Sequence, residues 1–314
     1  MLLNQLTKAR EDVFLIEGSL EGIEMNLKSL GYLDKLRGLP AGAVEASLDI
    51  RDRRNEPLAM AYKNRHPEGD FWLVIPYPHT LPMRKQTESM VREVSASGAI
   101  ASQKSKKVDA RAFEQAVRQY LSASLAEGSL CDCTREKEPA SFVKNDQRSQ
   151  DILRLVKKLS RRLGKNPADI DALEICCGNG MSTVPLRQAF RSVLSIDNDR
   201  CAVCNGLTYG VLVPEDTAVL DAAGLSRYGL GKYGAVVGFM LGTIYEFNKP
   251  LWRKIFTGAL DVLNDDGLLL FTVNNEEEMD FLAESFASMG VSGDVIDNHQ
   301  KDSIYDHWAF IAKF

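Results

Sequence analysis

The sequence lacks several features that would assign it to a special class of protein. No apolar run approaches the roughly 20 residues of a membrane-spanning helix. The first dozen residues already carry charge at Lys8, Arg10, Glu11 and Asp12, unlike a signal peptide. Six cysteines in 314 residues do not make a disulfide framework. We therefore expect a cytoplasmic protein with reduced thiols and no membrane partner.

Histidine is scarce, and the net charge is small. The four histidines stand in distant segments without metal-ligand spacing or a nucleophile motif. A net charge of -5 with 26% charged residues is typical of a globular protein and excludes wholesale nucleic-acid binding. With 45% apolar residues, a chain of 314 residues can form one large α/β domain and a smaller companion.

Residues 1–140 are predicted to form the smaller domain, of α+β class. Helical spacing of apolar residues indicates one or two helices over 2–29, and three short apolar runs in 44–76 predict an antiparallel sheet. Two further helices are expected at 84–95 and 109–126, separated by the small, polar SASGAIASQKSKK, which predicts a mobile loop. The aperiodic GSLCDCTREKEPAS that follows is the candidate linker.

Residues 141–314 alternate short apolar runs with helical patterns, which is typical of βαβ units on a parallel sheet. A helix over 148–163 comes first, with Ile152, Val156, Leu159 and Leu163 on one face. Strands are then predicted at 171–176, 192–197, 217–220, 233–239 and 267–273, with helices at 182–190, 199–209, 249–262 and 276–289. Two further strands, in VSGDVID and SIYDHWAFIAKF, close the chain.

The first of these strands runs into ALEICCGNGMST (172–183), in which an acidic residue precedes small ones. Glycines let a backbone approach a ligand, and the N-terminus of the next helix offers free N–H groups. The second strand ends at Asp197, where a carboxylate can accept both hydroxyls of a ribose. The third ends at Asp221, which suits an adenine amino group. Successive strand ends thus carry groups suited to a nucleoside.

This order of motifs resembles the class I S-adenosylmethionine-dependent methyltransferases over roughly 145–314. EICCGNG resembles the family's E/D-x-G-x-G-x-G motif, Asp197 matches its ribose-binding acid, and Asp221-Ala222 resembles its adenine-contacting pair. YGAVVGFM and LNDDGLLLFTV resemble the fourth and fifth strands, and the closing strands resemble the terminal antiparallel hairpin. The resemblance implies a Rossmann-like, doubly wound, seven-stranded sheet with an antiparallel terminal strand, and S-adenosylmethionine as cofactor.

The resemblance also implies which residues bind the cofactor. They are Glu174, Cys176, Gly178, Asn179, Gly180, Asp197, Asn198, Asp221, Ala222 and Gly238. After the fourth strand the family places substrate-facing groups, and Tyr245 and Glu246 are candidates there to orient or deprotonate an acceptor, although an ordinary loop fits them equally well.

Three departures from the family's pattern stand out. Cys176 takes the first glycine's place, and Gly234 stands where an aspartate often opens the fourth strand. No Asn/Asp-Pro-Pro-aromatic motif follows that strand. The last departure argues against N-methylation of nucleic-acid bases and leaves a small molecule or a protein side chain as the expected acceptor.

Other interpretations stay open. The glycine turn also fits a turn without a ligand, or a nicotinamide site, which prefers G-x-G-x-x-G with an acid about 20 residues on. The basic helix 148–163 could meet RNA, which makes an RNA methyltransferase an alternative. A methyltransferase-like binding module without activity is a further alternative. For the methyltransferase, residues 1–140 are expected to cap or select the acceptor.

The spacing of the cysteines fits a metal site, and it also fits cysteines that bind no metal. A C-x-C and a C-x-x-C together could hold zinc or an iron–sulfur cluster through Cys131, Cys133, Cys201 and Cys204. Small buried residues on a helix and a linker explain the same spacing, and we expect no metal. Because neighbouring residues of a strand face opposite sides, either Cys176 or Cys177 should pack into the sheet.

Overall fold

A computed structural model describes residues 1–131, 146–300 and 303–314. The chain divides into two compact units, Met1–Ser124 with Arg227–Gly229, and Leu125–Ser226 with Leu230–Phe314. The predicted boundary at residues 140 and 141 lies outside the described residues, and 125–131 belong to the second unit instead of the first. Within the described ranges, no helix is long and apolar enough to cross a membrane.

The first unit contains helices packed with a five-stranded sheet. The helices are α1 (Leu2–Thr7), α2 (Leu20–Met25), α3 (Leu27–Arg37), α4 (Leu81–Ala96) and α5 (Ala110–Ala126). The strands are β1 (Asp12–Leu15), β2 (Ser47–Arg51), β3 (Pro57–Asn64), β4 (Phe71–Pro76) and β5 (Gln103–Lys107). They are ordered β1-β4-β3-β2-β5, and β2, β3 and β4 confirm the strands predicted in 44–76.

Two expectations for the first unit are wrong. β1 occupies part of the predicted helix at 2–29, where DVFL alternates exposed and buried residues, as a strand does. β5 occupies part of the predicted loop SASGAIASQKSKK, as a polar edge strand whose backbone pairs with β2. β2, β3 and β4 pair antiparallel as predicted, and β1 and β5 add a parallel pair at each edge, so the five-stranded sheet is mixed.

The second unit confirms the predicted alternation of helices and strands. Its helices are α6 (Asp146–Leu163), α7 (Thr183–Ala189), α8 (Arg200–Thr208), α9 (Lys249–Asp261) and α10 (Glu276–Ser288). Its strands are β6 (Asp171–Ile175), β7 (Ser192–Asp197), β8 (Thr217–Val219), β9 (Tyr233–Gly238), β10 (Leu263–Val273), β11 (Gly293–Asp297) and β12 (Trp308–Lys313). β10 begins at Leu263 and not at residue 267.

The strands of the second unit form a seven-stranded sheet in the order β11-β12-β10-β9-β6-β7-β8. β12 runs antiparallel to both of its neighbours, while β6 to β10 are parallel. This arrangement confirms the predicted doubly wound fold with an antiparallel terminal strand. Parallel strands carry all their carboxyl ends to one edge, which is where the candidate site lies.

Apolar layers cover both faces of this sheet. On one face, Leu155 and Leu159 of α6 and Leu186 of α7 pack against the strands. On the other face, the ring of Phe256 in α9 lies 5.1 Å from that of Phe286 in α10. Core aromatic pairs of this kind contribute about 0.5–1.5 kcal/mol beyond the area they bury. The parallel strands are therefore held rigidly between two helical layers.

Candidate functional site

The candidate site lies at the carboxyl edge of the seven-stranded sheet. β7 and β8 extend from one side of β6, and β9 and β10 from the other. In open parallel sheets, ligands bind outside the carboxyl ends of the strands, at the point where the strand order reverses in this way. The turn that follows β6 occupies this point.

Left-handed backbone shapes the turn after β6. The φ angles of Cys176, Gly178 and Gly180 are 55°, 55° and 88°. A Cβ added to Gly180 would lie 2.4 Å from Cδ2 of Leu212, whereas one added to Gly178 would meet no atom within 4 Å. Packing therefore requires Gly180, and Gly178 leaves an open surface that a ligand can approach.

Glu174 lies beneath this turn. Its buried carboxylate accepts hydrogen bonds from the hydroxyls of Ser182 at 2.5 Å, Thr183 at 2.5 Å and Ser195 at 2.7 Å. Burial raises the pKa of Glu174, while the three hydroxyls and the charge of Arg148 lower it. Through these bonds Glu174 ties the turn to α7 and β7. The contact with the cofactor predicted for Glu174 stays a prediction.

Asp197 joins the end of β7 to the turn. Its Oδ2 accepts the N–H of Gly178 at 2.8 Å, and its Oδ1 accepts the N–H of Asp199 at 2.8 Å. Each carboxylate oxygen can accept a second hydrogen bond, and the side chain is partly exposed. The residue predicted to bind a ribose therefore lies beside the glycine turn with accepting capacity to spare.

The remaining polar candidates lie at the same edge. Asp221 is exposed after β8, and its Oδ1 accepts the N–H of Ala223 at 2.8 Å. The neighbouring Ala222 is 6% exposed. Asn179 is partly exposed in the turn, and Asn198 is exposed after β7. The structure thus leaves the polar side chains open to solvent.

The pKa of the Cys176 thiol is affected by burial and by three nearby carboxylates. Burial raises its pKa to about 12, and the carboxylates of Asp197, Asp221 and Glu174 add to the increase. A thiol with so high a pKa stays neutral at pH 7, and the thiolate is the nucleophilic form. Cys176 is therefore not a nucleophile, and its pKa reports a negative potential at the turn.

Gly238, the last residue of β9, faces packed side chains. A Cβ added there would lie 2.8 Å from Leu241, 3.1 Å from Phe271 and 3.3 Å from Ile175. The close approach of these side chains explains why a glycine is needed. The contact with the cofactor predicted for Gly238 stays a prediction.

The loop after β9 is braced by hydrogen bonds. The N–H of Ile244 donates to Glu278 at 3.0 Å, and the N–H of Tyr245 donates to Oδ1 of Asn248 at 2.8 Å. The amide nitrogen of Asn248 donates in turn to the carbonyl of Thr243 at 3.0 Å. These bonds fix the course of the loop as it leaves the carboxyl edge.

The braced loop displays two aromatic rings. Tyr245 is 55% exposed and Phe247 is 81% exposed, and their rings stack with centroids 5.4 Å apart and planes 10° apart. Glu246 between them is exposed and forms an ion pair with Lys249. The candidate residues Tyr245 and Glu246 therefore point to solvent, and Phe247 joins them as a residue that the sequence did not single out.

A buried polar cluster lies at the carboxyl ends of β9 and β10. Asp306 accepts hydrogen bonds from Arg148, at 3.0 Å, and from the hydroxyl of Thr272. The Thr272 hydroxyl accepts the N–H of Met240 at 2.8 Å, and the Arg148 guanidinium lies 4.7 Å from the centre of the Tyr305 ring. These residues are far apart in sequence and carry no shared motif. Only the fold reveals that they brace the ends of β9 and β10.

Two histidines also come together through the fold. The rings of His299 and His307 stack with centroids 4.3 Å apart, and Nδ1 of His299 lies 2.6 Å from a carboxylate oxygen of Asp297. Nδ1 of His307 lies 3.2 Å from the carbonyl oxygen of Asn274. The β11–β12 hairpin creates this pair, so the view of the histidines as scattered is corrected here.

Cys177 and Cys204 are packed residues, whereas the possible metal site of the cysteines is not tested by the structure. Cys177 is buried with Cys204, whose Sγ donates to the carbonyl of Leu125 at 3.5 Å, so Cys177 is the packing member of the adjacent pair. Within the described ranges, no three potential ligands are grouped so as to hold a metal ion. Cys133 lies outside those ranges, and the absence of a metal stays a prediction.

Ion pairs occupy part of the basic surface of α6. Arg154 pairs with Asp151 at 3.2 Å, and Arg162 pairs with Asp294 at 3.0 Å. Exposed basic residues remain at Lys157, Lys158 and Arg161. The basic surface is smaller than the sequence suggests, because some of its charge is neutralised within the unit.

Comparisons with known proteins give likenesses of fold. No family model and no curated protein matches this chain. A solved S-adenosylmethionine-dependent methyltransferase from Clostridium acetobutylicum is 12% identical, and the match covers 55% of this chain and 96% of that one with a TM-score of 0.43. An amino pentose methyltransferase from Micromonospora echinaspora, with S-adenosylmethionine bound, is 12% identical over 57% of this chain and 99% of that one, with a TM-score of 0.42.

A third solved structure is an rRNA methylase from Streptococcus thermophilus. It is 14% identical, and the match covers 57% of this chain and 98% of that one with a TM-score of 0.37. These likenesses concern the C-terminal part of the chain.

Proposed function

We propose that the second unit binds S-adenosylmethionine across the carboxyl ends of β6, β7 and β8 and transfers its methyl group to a small-molecule or protein acceptor. The observation that carries the proposal is the hydrogen bond from the N–H of Gly178 to Asp197. It joins a turn with an open face to an acid that can accept ribose hydroxyls. Asp221 lies at the next strand end, within reach of a nucleoside's base.

The charge at the turn favours this ligand over a nicotinamide dinucleotide. Burial is the main cause of the raised pKa of Cys176, and the charges of Asp197 and Asp221 add to it, as a negative potential at the turn does. A sulfonium cation is attracted to such a potential, whereas the pyrophosphate of a dinucleotide is repelled by it. A ligand-free turn is also disfavoured, because packing alone does not explain the open face of Gly178.

When bound, S-adenosylmethionine supplies a methyl group already activated by its sulfonium. The chain's own residues then need to position an acceptor's lone pair in line with that group and exclude water. We assign the acceptor side to the braced loop after β9, where Tyr245 and Phe247 offer aromatic surface. Tyr245 can also accept a hydrogen bond from the acceptor. Glu246, paired with Lys249, is a weaker candidate for that role.

Two alternative functions, an RNA methyltransferase and a binding module without activity, would have different binding properties. RNA as acceptor is supported by the exposed Lys157, Lys158 and Arg161, and it requires binding that weakens steeply with salt. The ion pairs of Arg154 and Arg162 reduce the charge available for it. A silent binding module requires cofactor binding without turnover on any acceptor.

Mass spectrometry of the purified full-length protein tests the proposal. We expect a co-purified adenosine-containing nucleoside, and retention of labelled S-adenosylmethionine in equilibrium dialysis. Asp221→Ala should weaken retention because the adenine loses an acceptor. Asp261→Ala, an exposed residue at the end of α9 before β10 begins, is the matched control. A wild-type protein that retains no cofactor would contradict the proposal.

A further inference from the structure

A cleft of about 770 Å³ opens in the first unit between the sheet and α4. β2 contributes Ser47, Asp49 and Arg51 to its lining, and these alternate positions share one face of the strand. Tyr77, just after β4, and Val91 of α4 complete the inner part. The volume falls within the range of about 300–1,000 Å³ that is usual for small-molecule sites.

The polar groups beneath the cleft are incompletely paired. Oδ2 of Asp49 accepts from Nε of Arg51 at 2.7 Å, but the buried Oδ1 has no hydrogen-bond partner in the described chain. The buried hydroxyl of Tyr62 also has none there, and Tyr62 lies opposite Ser47 in the register of β2 and β3. Buried polar groups are nearly always paired. Because Asp49 lines the cleft, its unpaired oxygen indicates that a ligand completes the pairing.

Tyr77 carries a further polar group to the cleft. It lines the cleft yet is only 7% exposed, and no described residue forms a hydrogen bond with its hydroxyl. Burial and the carboxylates of Asp49 and Glu88 raise its pKa, while Arg51 and Arg84 oppose the increase. The hydroxyl therefore keeps its proton and can both donate and accept a hydrogen bond.

The outer part of the cleft carries cations. Arg92 of α4 and Lys104 of β5 line it and are exposed, and neither forms an ion pair within the described residues. Arg51 and Asp49 form an ion pair with each other, and the lining acids Glu56 and Glu88 both pair with Arg84. Among the described residues, the lining therefore offers an unpaired acceptor at Oδ1 of Asp49 and unpaired positive charge at Arg92 and Lys104.

We propose that this cleft binds a small zwitterion of the amino-acid type, with its ammonium group toward Asp49 and Tyr77 and its carboxylate toward Arg92 and Lys104. An ammonium donates three hydrogen bonds and suits the unpaired acceptors of the interior. A carboxylate suits the guanidinium and ammonium groups outside. The site is separate from the proposed methyl transfer and does not depend on it.

Saturation-transfer NMR of the full-length protein with each common L-amino acid tests the proposal. We expect at least one to bind at millimolar concentration or below, and its affinity to fall about tenfold or more in Asp49→Asn and in Arg92→Gln. Tyr77→Phe should weaken binding as well, and it preserves the ion pair of Asp49. Arg53→Gln, an exposed residue of the β2–β3 turn that does not line the cleft, is the matched control and should bind normally.

Three outcomes would overturn the proposal. The first is a wild-type protein to which no amino acid binds. The second is binding that Arg92→Gln and Tyr77→Phe leave unchanged. The third is equal affinity for butyrate, which lacks the ammonium group. Circular dichroism melts of every variant separate a lost contact from a lost fold.

Discussion

Replacing Glu174 with glutamine tests whether a buried carboxylate holds the glycine turn. The substitution keeps the shape of the side chain and removes its charge. Three hydroxyls donate to Glu174, from Ser182, Thr183 and Ser195. A glutamine carbonyl can accept from two of them, and its amide group must face the third, whose hydroxyl then has to rotate and accept.

The expected loss follows from these contacts. The raised pKa means that the folded site favours the protonated, neutral carboxyl, and neutral hydrogen bonds contribute about 1 kcal/mol each. We therefore expect Glu174→Gln to lower the free energy of unfolding by about 1–2 kcal/mol at acid pH, because one of the three hydroxyls has to reorient. Glu174→Ala leaves all three hydroxyls unpaired and should lower it by about 4–6 kcal/mol, at about 1–3 kcal/mol for each unpaired group. Ser195→Ala, which removes one donor, should lower it by about 1–2 kcal/mol.

The loss should also depend on pH. Burial raises the pKa of Glu174 above its ordinary value of 4.5, so the folded protein binds this proton more tightly than the unfolded chain does. Its contribution to stability is complete below pH 4.5 and declines as pH rises through the folded pKa. Glutamine does not titrate. The difference between wild type and Glu174→Gln should therefore be largest at about pH 4 and decline as the pH is raised toward about pH 8.

Urea denaturation followed by circular dichroism, at several pH values between these limits, measures the difference directly. Ser195→Ala serves as the control for removal of one hydrogen bond without a change of charge. A Glu174→Gln penalty that grows with pH would refute the reasoning, because it would mean that the folded site favours the ionised carboxylate.

Three further predictions concern the turn and the cysteines. Cys176→Gly should change stability by less than about 1 kcal/mol, because relief of left-handed strain, about 1–2 kcal/mol, offsets the added chain entropy of glycine, about 0.5–1 kcal/mol; a loss above about 2 kcal/mol in thermal denaturation would contradict this. Gly180→Ala should destabilise by about 2–3 kcal/mol through its collision with Leu212, and Gly178→Ala by only about 1 kcal/mol; equal losses would argue against the open face. Elemental analysis should find no zinc or iron, and stoichiometric metal that disappears in Cys201→Ser would establish a thiolate site.

The fold of the second unit could be predicted because its elements carry local signals. Buried parallel strands read as apolar runs, and amphipathic helices repeat every three to four residues. β1 and β5 of the first unit carry no such signal. β1 has four residues within a helical pattern, and β5 is the polar QKSKK, so pairing with distant β4 and β2 determines both strands. Tertiary contacts override local pattern at such positions.

In the candidate site, too, some residues could be placed from local sequence signals and others depend on tertiary contacts. Asp197 and Asp221 could be placed from their positions at strand ends, because parallel strands bring those ends to one edge. The burial of Glu174 could not be predicted from the sequence, because its hydroxyl partners come from α7 and β7 and share no motif with it. The close packing around Gly238 could not be predicted either, because the side chains that meet it come from other parts of the chain.

Isothermal titration calorimetry of S-adenosylmethionine binding, on full-length wild type, Asp197→Ala and Asp261→Ala, tests the central claim most directly. The account predicts binding by wild type and by Asp261→Ala. It predicts a loss of at least tenfold in Asp197→Ala, because the ribose hydroxyls lose their charged acceptor, worth about 1.5–3 kcal/mol. Absence of binding by wild type, or equal affinity in all three proteins, would contradict it.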